Sequence, residues 1–347
     1  MKLSEIEITP LLDSIKLLDI SDKEYFGGGY NKYISNSRLN LLKEEYNGSP
    51  DKFFDGLQAN AQYSDSLLFG SAVHELILQP ESFYLVPNVN RPTAKAGLMA
   101  DELYRPDGNV PTYKAIKAAS EKIDYYKSSM NSDKAKALIS KCEEYWKSRC
   151  EFEKTYSGNK EPIFLSEKLR NNVLSCIKAI NKNKKILQLL NPDGTVQDPV
   201  IKNENAILMD VLVKTPDDSF ILKLKSKLDN FSIDFDTNTI TINDLKTTGR
   251  IISEFDSAID KFSYYREMAM YSWLLKLYVQ KEYDMKPTIK SNFLVVETIP
   301  EFYTKVYPMT KALFKKGMDE FSHLLKLAAF YSCNGYDGLR EERVSNV

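Results

Sequence analysis

Two neighbouring stretches of the sequence, Phe220 to Asp229 and Thr239 to Lys246, have the residue alternation of β-strands. The segment between them is rich in Asp, Asn and Thr, which favour a turn, so the two stretches are predicted to form a hairpin. Side chains two positions apart share one face of a strand. The hairpin therefore places Asp244 and Lys246 on one face of the second strand and brings Asp229, at the end of the first, towards them.

Asp244 and Lys246 are polar residues at the end of an otherwise apolar strand face, where packing does not offset the cost of removing them from water. Two carboxylates and a lysine can hold a divalent cation beside a phosphodiester. Ion pairs between the strands of a hairpin use the same residue types, so the residues by themselves leave both interpretations open. The same spacing at Asp284 and Lys286 follows a helical stretch and indicates a solvated surface.

A helical pattern runs from Asp65 to Pro80, and His74 lies on its packed stripe together with Gly70 and Ser71. The two small residues allow this stripe to approach a sheet closely. A single histidine on a packed helix stripe is usually a hydrogen-bonded core residue. A metal ligand is the alternative interpretation of His74.

Several short segments occur in a fixed order along the chain. They are Phe69-Gly-Ser-Ala-Val-His74, Leu228-Asp229, Asp244-Leu-Lys246-Thr, and a helix with Tyr264, Glu267, Ala269 and Tyr271. In this order they resemble the RecB-like branch of the PD-(D/E)XK nucleases, and within it the phage and prophage exodeoxyribonucleases of the RecE type (exonuclease VIII). Smaller matches are Ser35 to Leu39, Glu204, and Phe293 to Pro300, so the resemblance extends from about residue 30 to about residue 330.

The resemblance implies an α/β fold with a PD-(D/E)XK, restriction-endonuclease-like core. This core has a helix, a three-stranded antiparallel meander, then a helix and a further strand, with a helical insertion. The resemblance also implies catalytic roles for Lys246, Asp229 and Asp244. The implied ligands of Mg²⁺, for which Mn²⁺ can substitute, are His74, Asp229, Asp244, the backbone carbonyl of Leu245 and, as an auxiliary, Glu204.

Lys246 would orient or deprotonate the attacking water, with a pKa lowered by nearby cations. Tyr271, Glu267 and Tyr264 would contact the nucleic acid, although tyrosines at helical spacing also serve as packing. The family usually has Gln at the position of Glu267. A glutamate near phosphates repels them unless it contacts a metal, a lysine or a protonated partner. Glu204 is equally consistent with a solvated strand end.

The activity that the resemblance implies is degradation of linear double-stranded DNA from its ends, with 5′ to 3′ polarity, to give single strands for recombination. A ring-shaped homo-oligomer and a single-strand annealing protein as partner are further implications. Two alternatives stay open. One is a related nuclease that acts on single-stranded or flap DNA, and the other is a catalytically inactive DNA-binding protein with the same fold.

Composition limits these expectations. The 347 residues carry a net charge of −1, so the whole chain does not have the basic character of many nucleic-acid-binding proteins, and affinity for DNA would come from local basic clusters. The spacing of the four cysteines does not suit a zinc site. Some members of the resembling family carry an iron-sulfur cluster on four cysteines, three of them near the C-terminus, but only Cys333 lies there, so we expect no cluster. No apolar run approaches the length of a membrane span, so we expect a cytoplasmic protein without a membrane partner, in a bacterial host if phage-encoded.

The sequence pattern predicts one elaborated nuclease domain with four parts. These are an N-terminal irregular and helical segment (1–60), the first core helix with a surface loop (61–110), a helical insertion (111–195), and the core sheet with C-terminal helices (196–347).

Overall fold

The computed structural model describes residues 2–43, 45, 48–56, 64–126, 129–192 and 200–341. The chain forms two compact units, Met1–Ala61 with Asn181–Val347 and Gln62–Ile180. The boundaries predicted at residues 60 and 195 fall outside the described residues.

The described residues form nine strands and twelve α-helices, with short 3₁₀ turns between some of them. The strands are β1 (Glu7–Leu18), β2 (Tyr33–Ile34), β3 (Phe83–Leu85), β4 (Glu161–Ile163), β5 (Val200–Lys214), β6 (Ser219–Asp234), β7 (Thr239–Thr248), β8 (Thr288–Glu297) and β9 (Thr304–Pro308). The helices are α1 (Asp22–Tyr25), α2 (Asn36–Leu39), α3 (Pro50–Gly56), α4 (Asp65–Leu78), α5 (Ala94–Leu103), α6 (Tyr113–Ile123), α7 (Ser132–Thr155), α8 (Glu167–Lys182), α9 (Lys184–Leu190), α10 (Phe255–Lys261), α11 (Tyr264–Tyr283) and α12 (Lys311–Cys333).

The first unit is built on a mixed sheet with strand order β1-β5-β6-β7-β8-β9, and β2 pairs with β6. Strands β5, β6 and β7 form an antiparallel meander. Helices α10 and α11 then return the chain so that β8 pairs parallel to β7, because a parallel pair needs a crossover connection. Strands β1 and β9 add antiparallel neighbours. The N-terminal segment, predicted to be irregular and helical, therefore contains a long strand, because β1 gains its backbone partners from the distant β5. The predicted α/β class is confirmed, with a mostly antiparallel sheet.

Strand β6 is longer than the sequence pattern predicts. It does not end at Asp229 but continues to Asp234, because Phe231 and Ile233 extend the alternation and are buried in the core of the first unit. The turn of the hairpin is therefore confined to residues 235–238. Asp229 consequently lies within the strand, and the residues before and after it in the chain both belong to β6.

Helix α11 lies in the core of the first unit. Its Met268, Leu274 and Val279 are completely buried. Helix α12 packs against it at Gly317, where an added Cβ would lie 2.4 Å from the carbonyl oxygen of Tyr265. Glycine at this position therefore permits the close approach of the two helices.

The second unit is mainly helical and contains the two-stranded parallel sheet β3-β4. Its core includes Met99 and Leu103 of α5 together with Ile116 and Leu138. Helix α5 replaces the surface loop that we expected within residues 61–110. The apolar spacing of a helix is present there, but flanking Pro, Gly and Asn obscure it. None of the described helices combines the length and apolar character needed to cross a membrane.

Candidate active site

The two strands of the predicted hairpin separate at Asp229 and Asp244. Backbone pairing of β6 with β7 begins at the turn and extends as far as Asn230 opposite Asn243, so the two aspartates are the next residues of each strand. Oδ2 of Asp229 accepts a hydrogen bond of 2.7 Å from the backbone N–H of Leu245. Beyond the last backbone pair of β6 and β7, the side-chain carboxylate of Asp229 thus accepts the N–H that a backbone carbonyl would otherwise accept.

Burial sets the protonation behaviour of both aspartates. Burial raises the pKa of Asp229 to about 8, with Glu204 adding to the increase and Lys246 opposing it. Burial also raises the pKa of Asp244 to about 8, with Lys246 opposing and Asp229 and Glu267 adding to the increase. The ionised forms of these two aspartates are therefore unfavourable in the folded protein, where little water solvates them. A cation that neutralises them would therefore be favoured.

Lys246 lies between two carboxylates. Its Nζ is 3.1 and 2.9 Å from the two oxygens of Asp244 and 3.2 Å from Oε2 of Glu267. Burial lowers the pKa of Lys246, but Asp244, Glu267 and Asp229 outweigh this effect and raise it well above its ordinary value. The anions around Lys246 thus favour its protonated form, and the lowered pKa that we expected beside bound cations stays a prediction.

Helix α11 contributes the remaining residues that the resemblance singled out. The hydroxyl of Tyr271 donates to Oε1 of Glu267 at 3.0 Å, and Nζ of Lys246 lies 4.8 Å from the ring centre of Tyr264. Tyr271 is buried and Tyr264 is half-buried. Both tyrosines thus have structural contacts at the site, and their contact with nucleic acid stays a prediction.

Glu204 faces Asp229 across an interruption in the pairing of β5 with β6. Asn203 pairs with Asn230 and Asn205 with Leu228, whereas Glu204 has a left-handed backbone with φ of 54°. Oε2 of Glu204 lies 3.0 Å from Nζ of Lys227. A carboxylate oxygen of Glu204 also lies within 4.8 Å of one of Asp229. A non-glycine residue in this conformation is strained, and here the strain occurs beside the candidate site.

His74 and the Leu245 carbonyl are the two remaining predicted ligands. His74 lies half-buried on α4 in the second unit, and its role as a ligand stays a prediction. The same is true of the Leu245 carbonyl, whose residue contributes its N–H to Asp229.

Tyr25 is a residue that our sequence analysis did not connect with the site. Burial raises the pKa of Tyr25, and the negative charge of Glu267 adds to the increase. Lys225 donates to the carbonyl oxygen of Tyr25 at 2.8 Å, and burial lowers the pKa of Lys225 to about 8. The available signal was the alternation of Lys225, Lys227 and Asp229 along one face of a buried strand, which requires polar partners.

Comparisons with known proteins give little similarity. No protein-family model matches the chain, and no curated protein matches it. One solved structure that resembles it is a protein from Eubacterium rectale described as a "Putative exonuclease", with 12% sequence identity and a TM-score of 0.46 over 93% of this chain and 89% of the other. The functional argument therefore depends on the arrangement of the site residues.

Proposed function

We propose that this protein is a metal-dependent nuclease of the PD-(D/E)XK type that hydrolyses DNA phosphodiester bonds. The observation that carries the proposal is the pair of aspartates, buried Asp244 and half-buried Asp229, beside Lys246 at the point where β6 and β7 separate. Asp244 and Glu267 both pair with the ammonium of Lys246, and the charge of Asp229 also acts on it. Buried charge of one sign is costly unless it is compensated, which favours a site for a divalent cation.

The chemistry of the available donors fits Mg²⁺ or Mn²⁺, which prefer oxygen ligands. Asp244 is 2% exposed. Its Oδ2 accepts no hydrogen bond from the described residues. Nζ of Lys246 lies 2.9 Å from this oxygen, but the angles are not those of a hydrogen bond. This oxygen is therefore available to a cation. We propose Asp229 and Asp244 as its ligands, with Glu204 as an auxiliary and His74 and the Leu245 carbonyl as further candidates.

When bound, such a cation would polarise a phosphate and lower the pKa of a water molecule. The protein's own contribution is a fixed set of charges. Protonated Lys246 donates hydrogen bonds and offsets negative charge that develops on phosphate oxygens. Glu267 holds the Lys246 ammonium in place, and the hydroxyl of Tyr271 in turn holds Glu267. We therefore propose a charge-stabilising role for Lys246.

For the substrate we propose the ends of linear double-stranded DNA, degraded from 5′ to 3′ to leave single strands for recombination. This finer assignment rests on the resemblance of the sequence motifs to RecE-type exonucleases. A ring-shaped homo-oligomer would account for retention on DNA, because enclosure compensates for the low net charge. Two basic residues that could contact DNA, Lys315 and Arg91, already form ion pairs with Asp319 and Asp101. A single-strand annealing protein is the proposed partner.

The test compares two chemically identical substitutions. Asp244→Asn removes a carboxylate from the site, and Asp284→Asn removes one from the exposed end of α11. With Mg²⁺, the wild type and Asp284→Asn are expected to degrade end-labelled linear duplex DNA and leave covalently closed circles intact, while Asp244→Asn is slower by about 10³-fold. Labels on the 5′ and 3′ ends report polarity. A wild type inactive with both Mg²⁺ and Mn²⁺, or an Asp244→Asn variant as active as the wild type, contradicts the proposal.

A catalytically inactive DNA-binding protein is the second candidate function. The observation that favours it is the ion pair between Lys246 and Glu267, which occupies the lysine. Binding of linear DNA without cleavage in either metal, retained in Asp244→Asn, would support this candidate. Cleavage confined to single-stranded or flap DNA would instead indicate a related nuclease of different action.

A further inference from the structure

Four asparagines form a continuous row across the central strands of the sheet. Asn203, Asn230, Asn243 and Asn292 lie directly opposite one another on β5, β6, β7 and β8. Their side-chain amides are joined in one direction. Nδ2 of Asn292 donates to Oδ1 of Asn243 at 3.0 Å, Nδ2 of Asn243 to Oδ1 of Asn230 at 2.8 Å, and Nδ2 of Asn230 to Oδ1 of Asn203 at 2.7 Å. We name this row the amide ladder.

The amide ladder also binds the end of a helix. Nδ2 of Asn243 donates to the carbonyl oxygen of Leu189 at 2.8 Å, and Nδ2 of Asn230 donates to that of Leu190 at 3.2 Å. These carbonyls belong to the last turn of α9, where carbonyls lack partners within the helix. Both asparagines are 1% exposed. Each amide thus uses both of its N–H groups in a place that water does not reach.

The ladder lies immediately behind the candidate active site. Asn230 follows Asp229 in β6, and Asn243 precedes Asp244 in β7. Successive side chains of a strand point to opposite faces, so the amides contact α9 while Asp244 and Lys246 contact one another and α11. The rung formed by Asn230 and Asn243 is also the last backbone pair before the strands separate.

The apolar residues of the hairpin do not specify this register by themselves. A slip of two residues between β6 and β7 returns every side chain to its original face, so Phe231, Ile233, Ile240 and Ile242 could still be buried. The same slip would separate Asn243 from Asn230 and leave hydrogen-bonding groups of these two buried amides unpaired, which is strongly unfavourable. The amide ladder therefore selects one register out of those that the apolar pattern permits.

We propose that the amide ladder positions the Asp229 and Asp244 carboxylates relative to one another, and that Asn230 and Asn243 are positioning residues of the site. The inference rests on the proposed function, since it assigns the ladder's role to the metal-binding pair. It predicts that metal affinity depends on the ladder even without DNA. Residues that orient metal ligands typically change metal affinity or activity by about 10 to 100-fold when they are replaced.

The test measures Mn²⁺ binding by calorimetry and by electron paramagnetic resonance on the intact protein without DNA. Asn243→Leu has a side chain of similar size and breaks the ladder in the middle, and it is expected to weaken Mn²⁺ binding by about tenfold. Asn292→Ala removes only the terminal donor of the ladder. It is expected to weaken Mn²⁺ binding by about threefold, which is less than the 10 to 100-fold effect of residues that orient a ligand directly. The second variant carries the test if Asn243→Leu does not fold.

Asn238→Ala is the matched control. Asn238 lies at the turn of the same hairpin, and its amide donates to the carbonyl oxygen of Lys286, so its loss lowers stability at the opposite end of the strands. We expect Mn²⁺ affinity within twofold of the wild type. The inference is overturned if Asn243→Leu and Asn292→Ala keep the Mn²⁺ affinity of the wild type. It is also overturned if Asn238→Ala, at an equal loss of stability, weakens Mn²⁺ binding as much as the two ladder variants do. Absence of Mn²⁺ binding and cleavage in the wild type would instead refute the proposed function.

Discussion

Lys246 and Glu267 form an ion pair, with 3.2 Å between Nζ and Oε2, in addition to the pair that Lys246 forms with Asp244. The lysine therefore joins β7 to α11 as well as neutralising part of the acidic cluster. Glu267 is the position where the resembling family usually has Gln, and here its charge is balanced by a lysine. The repulsion of phosphates expected from a glutamate is reduced by this contact.

Replacing Lys246 by Met should affect both cleavage and stability. Removal of the ammonium leaves buried carboxylates without compensation, and we expect the free energy of unfolding to fall by about 3 kcal/mol at pH 8. The loss should be smaller at pH 5.5, where the aspartates bind protons instead. Urea unfolding at both pH values measures the effect. Lys315→Met, at an exposed i,i+4 pair, should change the free energy of unfolding by less than about 0.5 kcal/mol, and an equal loss in both variants contradicts the prediction.

Stability in metal-free buffer should fall as the pH rises from about 4 to about 8. The pKa values of Asp229 and Asp244 are about 8 in the folded protein, whereas an unfolded aspartate has a pKa of about 3.9. The folded state therefore binds more protons in this window, and the free energy of unfolding decreases with pH until it levels off above 8. Urea unfolding with a chelator present tests this.

The Asp244→Asn variant should have a flatter dependence of stability on pH, because one of the two titrating groups is absent. Asp284→Asn should keep the wild-type dependence. Adding Mn²⁺ at pH 8.5 should raise the free energy of unfolding of the wild type, since a cation that binds the ionised pair stabilises the folded state. A wild type whose stability is independent of pH between 5 and 8 is incompatible with this prediction.

The strained backbone of Glu204 should be detectable by comparing two substitutions. Glu204→Gly and Glu204→Gln both remove the carboxylate that raises the pKa of Asp229, but only glycine adopts a positive φ without strain. We expect the Glu204→Gly variant to be more stable than the Glu204→Gln variant, with a free energy of unfolding higher by about 1 kcal/mol. Chemical denaturation of the two variants measures this difference, and a glutamine variant of equal or greater stability argues against strain at this position.

Tyr271→Phe should remove the hydrogen bond to Glu267 and little else, because the ring is buried and retains its packing. The expected loss in free energy of unfolding is about 1 kcal/mol. In a double-mutant cycle with Glu267→Ala, the two substitutions should couple by a similar amount, about 1 kcal/mol. Additive losses would show that the 3.0 Å contact contributes nothing measurable.

Local patterns predicted the hairpin and the mutual approach of Asp229 and Asp244, because alternation and turn residues act over short distances along the chain. They did not predict the extension of β6 to Asp234 or helix α5. In both places a weak apolar pattern is stabilised by burial against residues distant in sequence. The left-handed backbone of Glu204 had no sequence signal, since glycine or asparagine is the usual residue in that conformation.

The sequence by itself determined that β6 and β7 form a hairpin and which residues of β7 share a face, since both follow from residue alternation and turn residues. Only the tertiary structure decided the charge environment of Lys246. Its pKa is raised because β6, β7 and α11 place the charges of Asp229, Asp244 and Glu267 near it. Charge interactions of this kind depend on distance and burial, and neither quantity can be read from the spacing of residues along the chain.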